Sequence, residues 1–287
     1  MTRTSRLILG TLAAALSTGL IAVRVGSRRQ QSVLAAERNR LIRAGTSRRT
    51  SAETIYPEPE TLPPPVARYL RLALRTRNHI GELRISQIGT LRTDPTGERW
   101  MSFSAEHLVV PPANGFVWDA RVTVAPLLHV RVRDSLIEGR GSGLVSFLSA
   151  FTLSAAADTP EMNSGSLHRF LAEAVWYPTA LVPSPTLAWT AIDETKALAT
   201  LTDHDVSVSL EFRFAKTGEV TGIYTPGRWG KFADGYRQVP WEGHFRDYRE
   251  YNGMLLPTEG EVGWYVDGEW RPVWKGTMTE FEFRPEW

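Results

Sequence analysis

WEGHFRDYREYNGMLLPTEGEVGWYVDGEWRPVWKGTMTEFEF, residues 241–283, alternates apolar and polar side chains on both sides of Asn252-Gly253 and again of Asp267-Gly268. Asn-Gly and Asp-Gly between alternating runs predict two-residue type I′ hairpins, because both central residues of that turn need positive φ. Three consecutive antiparallel strands follow from this stretch alone. LAWTAI (187–192), KALATLT (196–202), VSVSLEFRF (206–214) and EVTGIYT (219–225) extend the same meander upstream, with Asp203-His204-Asp205 and Lys216-Thr217-Gly218 at its turns. Further back, ELRISQIGTLRT (82–93) and ERWMSFSAEHLVV (98–110) flank the turn sequence Asp94-Pro95-Thr96-Gly97, and FVWDARVTV (116–124) and LLHVRVRDSLI (127–137) alternate in the same way. The expected fold class is α+β: a large curved antiparallel sheet, half-barrel-like and of about ten strands, packed on helices.

Two stretches change the period from two to about 3.6. After Pro63-Pro64-Pro65, Val66, Tyr69, Leu70, Ala73 and Leu74 recur at helical spacing. In SLHRFLAEAVWYPTAL, residues 166–181, Leu167, Phe170, Leu171, Ala174 and Val175 form one apolar stripe, with Ser164 or Ser166 as the expected cap and Pro178 as the stop. Off the stripe, Arg169 and Glu173 stand at i, i+4 and read as a surface ion pair. The segment from residue 144 to the helix carries no strand pattern, and GRGSG (139–143) reads as a flexible strand end rather than a nucleotide loop.

The N-terminus is of another kind. Leu7–Val23 is uncharged over 17 residues and as a helix measures about 26 Å, just short of a ~30 Å hydrocarbon core. It reads as an uncleaved single-pass anchor, residues 1–24, placing the chain at a membrane. The arginines on either side leave the side of the membrane open. Residues 25–62 read as a basic and then Pro-containing linker, with a short amphipathic helix on anionic lipid as the alternative for the stretch up to Arg43. Residues 63–287 read as the sheet-and-helix domain.

The 287 residues carry a net charge of +2, but residues 1–55 hold ten Arg against Glu37 and Glu53, whereas the remainder holds 23 basic against 29 acidic residues. A body of negative charge lacks the positive face that neutralises phosphates, so no nucleic-acid partner is expected. There is no Cys, which excludes disulfides and thiolate chemistry. No histidine spacing gives a metal motif and no cofactor loop is found, so no metal and no cofactor are expected. The oligomeric state is not legible in the sequence.

RFLAEAVWYPTALVPS together with FVWDAR, VRDSL and PWEGHFRDYREYNGMLLP resembles a family of uncharacterised bacterial proteins, often membrane-tethered, over most of residues 63–283. The order of helix, strands, helices and long meander also resembles the lipoprotein-carrier fold, a half-barrel sheet plugged by helices. That likeness implies a cavity for a lipid-like ligand.

The residues read as lining such a pocket are Trp118, Trp176, Tyr177, Trp189, Trp241 and Trp264, from an aromatic set that also includes Trp274, with Arg121 or Arg133 for an anionic head group. Asp119, Arg121, Arg133 and Asp134 otherwise read as a cross-strand charge ladder. The leading expectation is a membrane-tethered binding domain for an apolar or lipid-like ligand, without chemistry. A hydrolytic enzyme using Glu173 and His168 is the alternative, and a scaffold domain of the cell envelope is the third. The enzyme reading needs sheet over that helix face, which would make Glu173 a buried carboxylate of raised pKa.

Overall fold

The computed structural model describes residues 3–49, 61–75, 80–126, 128–232 and 234–285, the side chains of residues 3–16, 49 and 285 excepted. Both diagnostic turns have the backbone that their residues favour. Asn252 and Gly253 take φ of 51° and 74°, and Asp267 and Gly268 take 53° and 81°. Each pair closes a two-residue hairpin, with Tyr251 opposite Met254 and Val266 opposite Glu269.

The described residues form thirteen strands in one antiparallel sheet. In chain order they are β1 (Ile80–Leu91), β2 (Met101–Val110), β3 (Gly115–Ala125), β4 (Leu128–Ile137), β5 (Arg140–Phe147), β6 (Phe151–Ala157), β7 (Leu187–Asp193), β8 (Lys196–Asp203), β9 (Val206–Phe214), β10 (Val220–Phe232), β11 (Gly235–Tyr251), β12 (Met254–Val266) and β13 (Glu269–Pro285). The sheet is two meanders joined where β1 pairs β13, so that β6 and β7 are its edges. Helix α3 (Pro160–Glu173) packs on β4 and β5 near one edge and on β8, β9 and β10 near the other. One helix reaches both arms only because the sheet curls around it into a half-barrel.

The sequence reading of about ten strands missed β5 and β6. β5 follows β4 through a turn at Glu138 and Gly139, at φ of 52° and 75°, and about half of the residues of β5 and β6 are Gly, Ser or Ala. A Cβ on Gly141 would sit 2.6 Å from the Met162 carbonyl of α3, so the helix crossing itself demands residues without apolar alternation.

α3 is capped five to seven residues before its expected cap. Thr159 accepts from the Met162 N–H, Pro160 fills the first helical position and Glu161 complements the dipole, in place of Ser164 or Ser166. Its stripe of Leu167, Phe170, Leu171, Ala174 and Val175 is fully buried as the spacing predicts. Beyond Glu173 the chain tightens into two 3-10 turns separated at Tyr177, whose hydroxyl donates back to the Phe170 carbonyl. Trp176 donates its indole N–H to the Pro257 carbonyl of β12. The Trp-Tyr-Pro corner therefore locks the end of the helix against the sheet and turns the chain towards β7. Helix α2 (Pro64–Ala73) buries Val66, Tyr69 and Ala73 in the same core.

Residues 25–49, expected as basic linker, instead belong to a continuous helix α1 (Arg3–Arg49) that lies along the convex face of the sheet. Gln30, Leu34, Glu37, Leu41, Gly45 and Arg48 recur at three- and four-residue steps and form the docking seam. Leu34 and Leu41 join Leu108, Val110, Val117 and Ile137 in a second apolar cluster. Glu37 pairs with Arg133 at 3.1 Å and Arg48 with Asp203 at 2.7 Å. Leu34 and Leu41, two of the apolar residues expected to face lipid in the amphipathic-helix alternative, are instead covered by the sheet. No helix among the described residues is long and apolar enough to cross a membrane; the side chains of Leu7–Leu16, most of the expected anchor, lie outside the described residues.

Candidate functional site

Between the sheet's concave face and the C-terminal end of α3 lies a cavity of about 550 Å³, within the ~300–1,000 Å³ of ordinary ligand sites. Its walls are apolar: Val122 and Val124 from β3, Val130 and Val132 from β4, Val262 from β12, and five tryptophans, Trp118, Trp176, Trp241, Trp264 and Trp274. Polar groups gather at the inner end, where Asp134, Arg169, Glu173 and Arg228 meet.

A row of glycines makes room for the indoles. Gly89, Gly276 and Gly260 stand side by side on β1, β13 and β12, between Phe103 on β2 and Phe245 on β11. A Cβ on Gly276 would collide with the Trp274 ring, and one on Gly260 would lie 3.2 Å from Trp176. Trp274 stacks on Phe103 and lies 6.3 Å from Trp176, which meets Phe245 edge-on. The glycines thus let an aromatic floor lie on the backbone. Sequence reading passed over them, although isolated glycines inside alternating strands were the available signal.

The polar end is held from three elements. Arg169 of α3 donates Nε to Glu173 at 2.8 Å and Nη1 to Asp134 of β4 at 2.9 Å. Its guanidinium lies 4.9 Å from the ring centres of both Phe116 and Trp118. Arg228 comes from β10, where the register shifts between Thr225 and Arg228. That bulge at Pro226-Gly227 turns both side chains to the same face. Arg228 donates Nε and Nη2 to the Gly165 carbonyl and lies 4.5 Å over Trp241 and 5.1 Å over Trp264. Among the described residues no carboxylate stands within ion-pair distance of it. Burial draws its pKa down to about 10, so it stays charged at neutral pH.

The expected surface pair of Arg169 and Glu173 is present but enclosed. Both side chains are less than a fifth exposed, because the curl of the sheet covers this helix face. Burial raises the Glu173 carboxyl, with Arg169 opposing the shift, and raises Asp134 in the same way. The Oε2 of Glu173 stands 3.5 Å from Nε2 of His107, a fully buried imidazole driven well below its ordinary range by burial. His168 is not part of this group. Its Nδ1 meets the Ser164 carbonyl and its ring packs towards Ser209 of β9, whereas Glu173 faces Arg169 and His107.

Of the residues read from the sequence as ligand contacts, Trp118, Trp176, Trp241 and Trp264 come together on the cavity wall. Tyr177 is sealed behind α3, and Trp189 packs on Phe212 and Phe214 with its indole bonded to the Leu181 carbonyl. Arg121 and Arg133 point to the convex face with Asp119, where Arg131 bridges to Asp119 and Arg133 to Glu37. Asp134, one residue on, faces the cavity. The alternation along β4 therefore splits the expected charge ladder between the two faces.

Burial lowers the His168 imidazole to about 4 from its usual 6.5, Arg228 adding to the shift. The unfolded chain takes up this proton near pH 6.5 and the folded one only near pH 4, so stability held above that window is lost as pH falls through it. Glu173 and Asp134, raised, act in the opposite sense. His168→Gln should remove about 1–3 kcal/mol of acid sensitivity, measured as urea midpoints of variant and parent at neutral pH and near pH 4. Identical pH profiles would contradict the burial of this ring.

The chain belongs to the family of unknown function DUF6920, whose pattern matches residues 60–283. No curated protein matches it. Among solved structures it is similar to a LolA superfamily protein from Nitrosomonas europaea, at 8% identity and a TM-score of 0.39 over 77% of this chain and 92% of that one. A beta-barrel-like protein of the domain of unknown function DUF1849 from Brucella abortus matches at 9% identity and a TM-score of 0.23, over 72% of this chain and 99% of that one.

Proposed function

We propose that this protein holds one amphiphilic, lipid-like molecule in the cavity of its half-barrel and is kept at a membrane by Leu7–Val23. The observation that carries the reading is the cavity itself: about 550 Å³ with five tryptophans on its walls and a cluster of charged groups, Asp134, Arg169, Glu173 and Arg228, at its inner end. An apolar chain lying on Trp118, Trp176 and Trp274 removes its surface from water at roughly 25 cal/mol per Å². Arg228, with two tryptophans and a carbonyl but no carboxylate at hand, is placed to receive an anionic or strongly polar head. Arg169 is already committed to Asp134 and Glu173 and serves to hold that end in shape.

Filling the cavity separates binding from folding. Val132 and Val262 both line it and both keep partial exposure, so the double variant Val132→Phe, Val262→Phe should fold with the parent's midpoint and lose binding of a fluorescent long-chain fatty acid by more than about tenfold, or more than about 1.4 kcal/mol. Unchanged affinity in a folded variant would place the ligand elsewhere and refute the proposal.

A further inference from the structure

The helix on the convex face and the cavity on the concave face end at the same level of the sheet. From Arg48, paired with Asp203, α1 runs back to Gly26, which lies against Ala150 in the β5–β6 turn, and to Val23 and Ser27, which border a groove with His129, Leu148 and Ser149. The cavity's outer rim is at this level too. Val130 follows His129 directly, Val130 pairs with Val122, and Leu91 pairs with Met101 and Trp274 at the matching ends of β1, β2 and β13. The uncharged stretch Leu7–Val23 thus stops at the residue where α1 first runs beside the sheet.

Exposed apolar side chains concentrate at this end. Leu20, Ile21 and Val25 on α1 are 61–68% exposed, and Leu128, Phe151 and Leu153 on the adjoining strand ends are 41–62% exposed. Leu153 also lines the cavity. Arg24, Arg28 and Arg29 stand exposed just where the apolar stretch gives way. Apolar side chains beside a band of arginines suit the boundary between acyl chains and anionic head groups. Because α1 is one helix from the apolar stretch to its docking seam, the sheet is held to that stretch without a flexible hinge.

From these placements we infer that the mouth of the cavity rests on an anionic phospholipid bilayer. Leu128, Phe151 and Leu153 enter the bilayer surface, and the ligand passes between membrane and cavity without crossing water. The identity of the ligand rests on the binding reading above; the placement of the mouth does not.

The chain has no cysteine, so single-cysteine variants report position cleanly. Phe151→Cys, at the rim, and Asp205→Cys, in the exposed turn beside the far end of α1, would each carry a bimane label on the full chain in vesicles of phosphatidylcholine and phosphatidylglycerol. A head-group-region nitroxide lipid should quench the label at position 151 and leave that at 205 bright. Equal quenching, quenching at 205 alone, or full chain left behind when the vesicles are floated would overturn the inference. Disulfide-linked dimers of the Phe151→Cys variant with an unquenched label would overturn it as well, and would make a second copy the occupant of the rim. Lipid co-purifying with a chain whose 151 label is unquenched keeps the binding reading and removes this orientation. A quenched 151 label without bound lipid supports the orientation and removes the binding reading.

Discussion

Arg169→Met should destabilise the fold by about 3–5 kcal/mol at neutral pH, chiefly the cost of leaving the enclosed Glu173 carboxylate without its counter-charge, with a smaller share from the partly exposed Asp134. Glu173 and Asp134 both take their nearest positive charge from Arg169, and burial already raises both carboxyls in its presence. Without it they rise further. A carboxyl raised in the folded state contributes stability that is present below its unfolded pKa and is lost as pH rises through the folded one. The gap between Arg169→Met and the parent should therefore narrow as pH falls and both groups take up protons. Urea unfolding across this range measures it, and adding Glu173→Gln to Arg169→Met should recover part of the loss. A deficit independent of pH would mean that Arg169 matters for its packing on Phe116 and Trp118 rather than for its charge.

Phe170→Ala should cost about 3–5 kcal/mol as well, by emptying the space under the middle of α3. Its ring is fully buried, 5.3 Å from that of Tyr177, and its carbonyl receives the Tyr177 hydroxyl. Since α3 touches both arms of the sheet, hydrogen exchange should quicken in β5 and β9, on opposite arms, more than in β1 and β13 at the back of the curl. Loss of protection spread evenly over all strands would show that α3 is not what joins the arms.

The contrast between these two side chains marks where sequence reading stops. Phe170 was legible from 3.6-residue periodicity, as the hairpins were from Asn252-Gly253 and Asp267-Gly268, because both signals are local. The enclosure of Glu173 was not, since it depends on a sheet curling far enough for β4 and β10 to face one another across α3. Asp134 and Arg228 are far apart in the chain; locally Asp134 reads only as one member of a cross-strand charge ladder, and nothing marks Arg228 beyond the Pro226-Gly227 bulge. Four of the tryptophans could be named in advance because bulky aromatic residues are scarce and pockets use them. Tyr177 and Trp189, of the same chemistry, pack elsewhere, and composition has no means of separating them from the rest. The seam of α1 escaped notice because it mixes Leu34 and Leu41 with Gln30, Glu37, Gly45 and Arg48, whose partners on the convex face are set by the tertiary fold.

The central claim is that the half-barrel cavity holds a lipid-like molecule. Native mass spectrometry of the full chain, extracted from membranes in a mild detergent, tests it directly. The account predicts one amphiphile retained per chain, lost when Val132 and Val262 are both replaced by Phe. A parent chain that flies only at its bare polypeptide mass, and that takes up neither phospholipid nor fatty acid when either is added in excess, would contradict it.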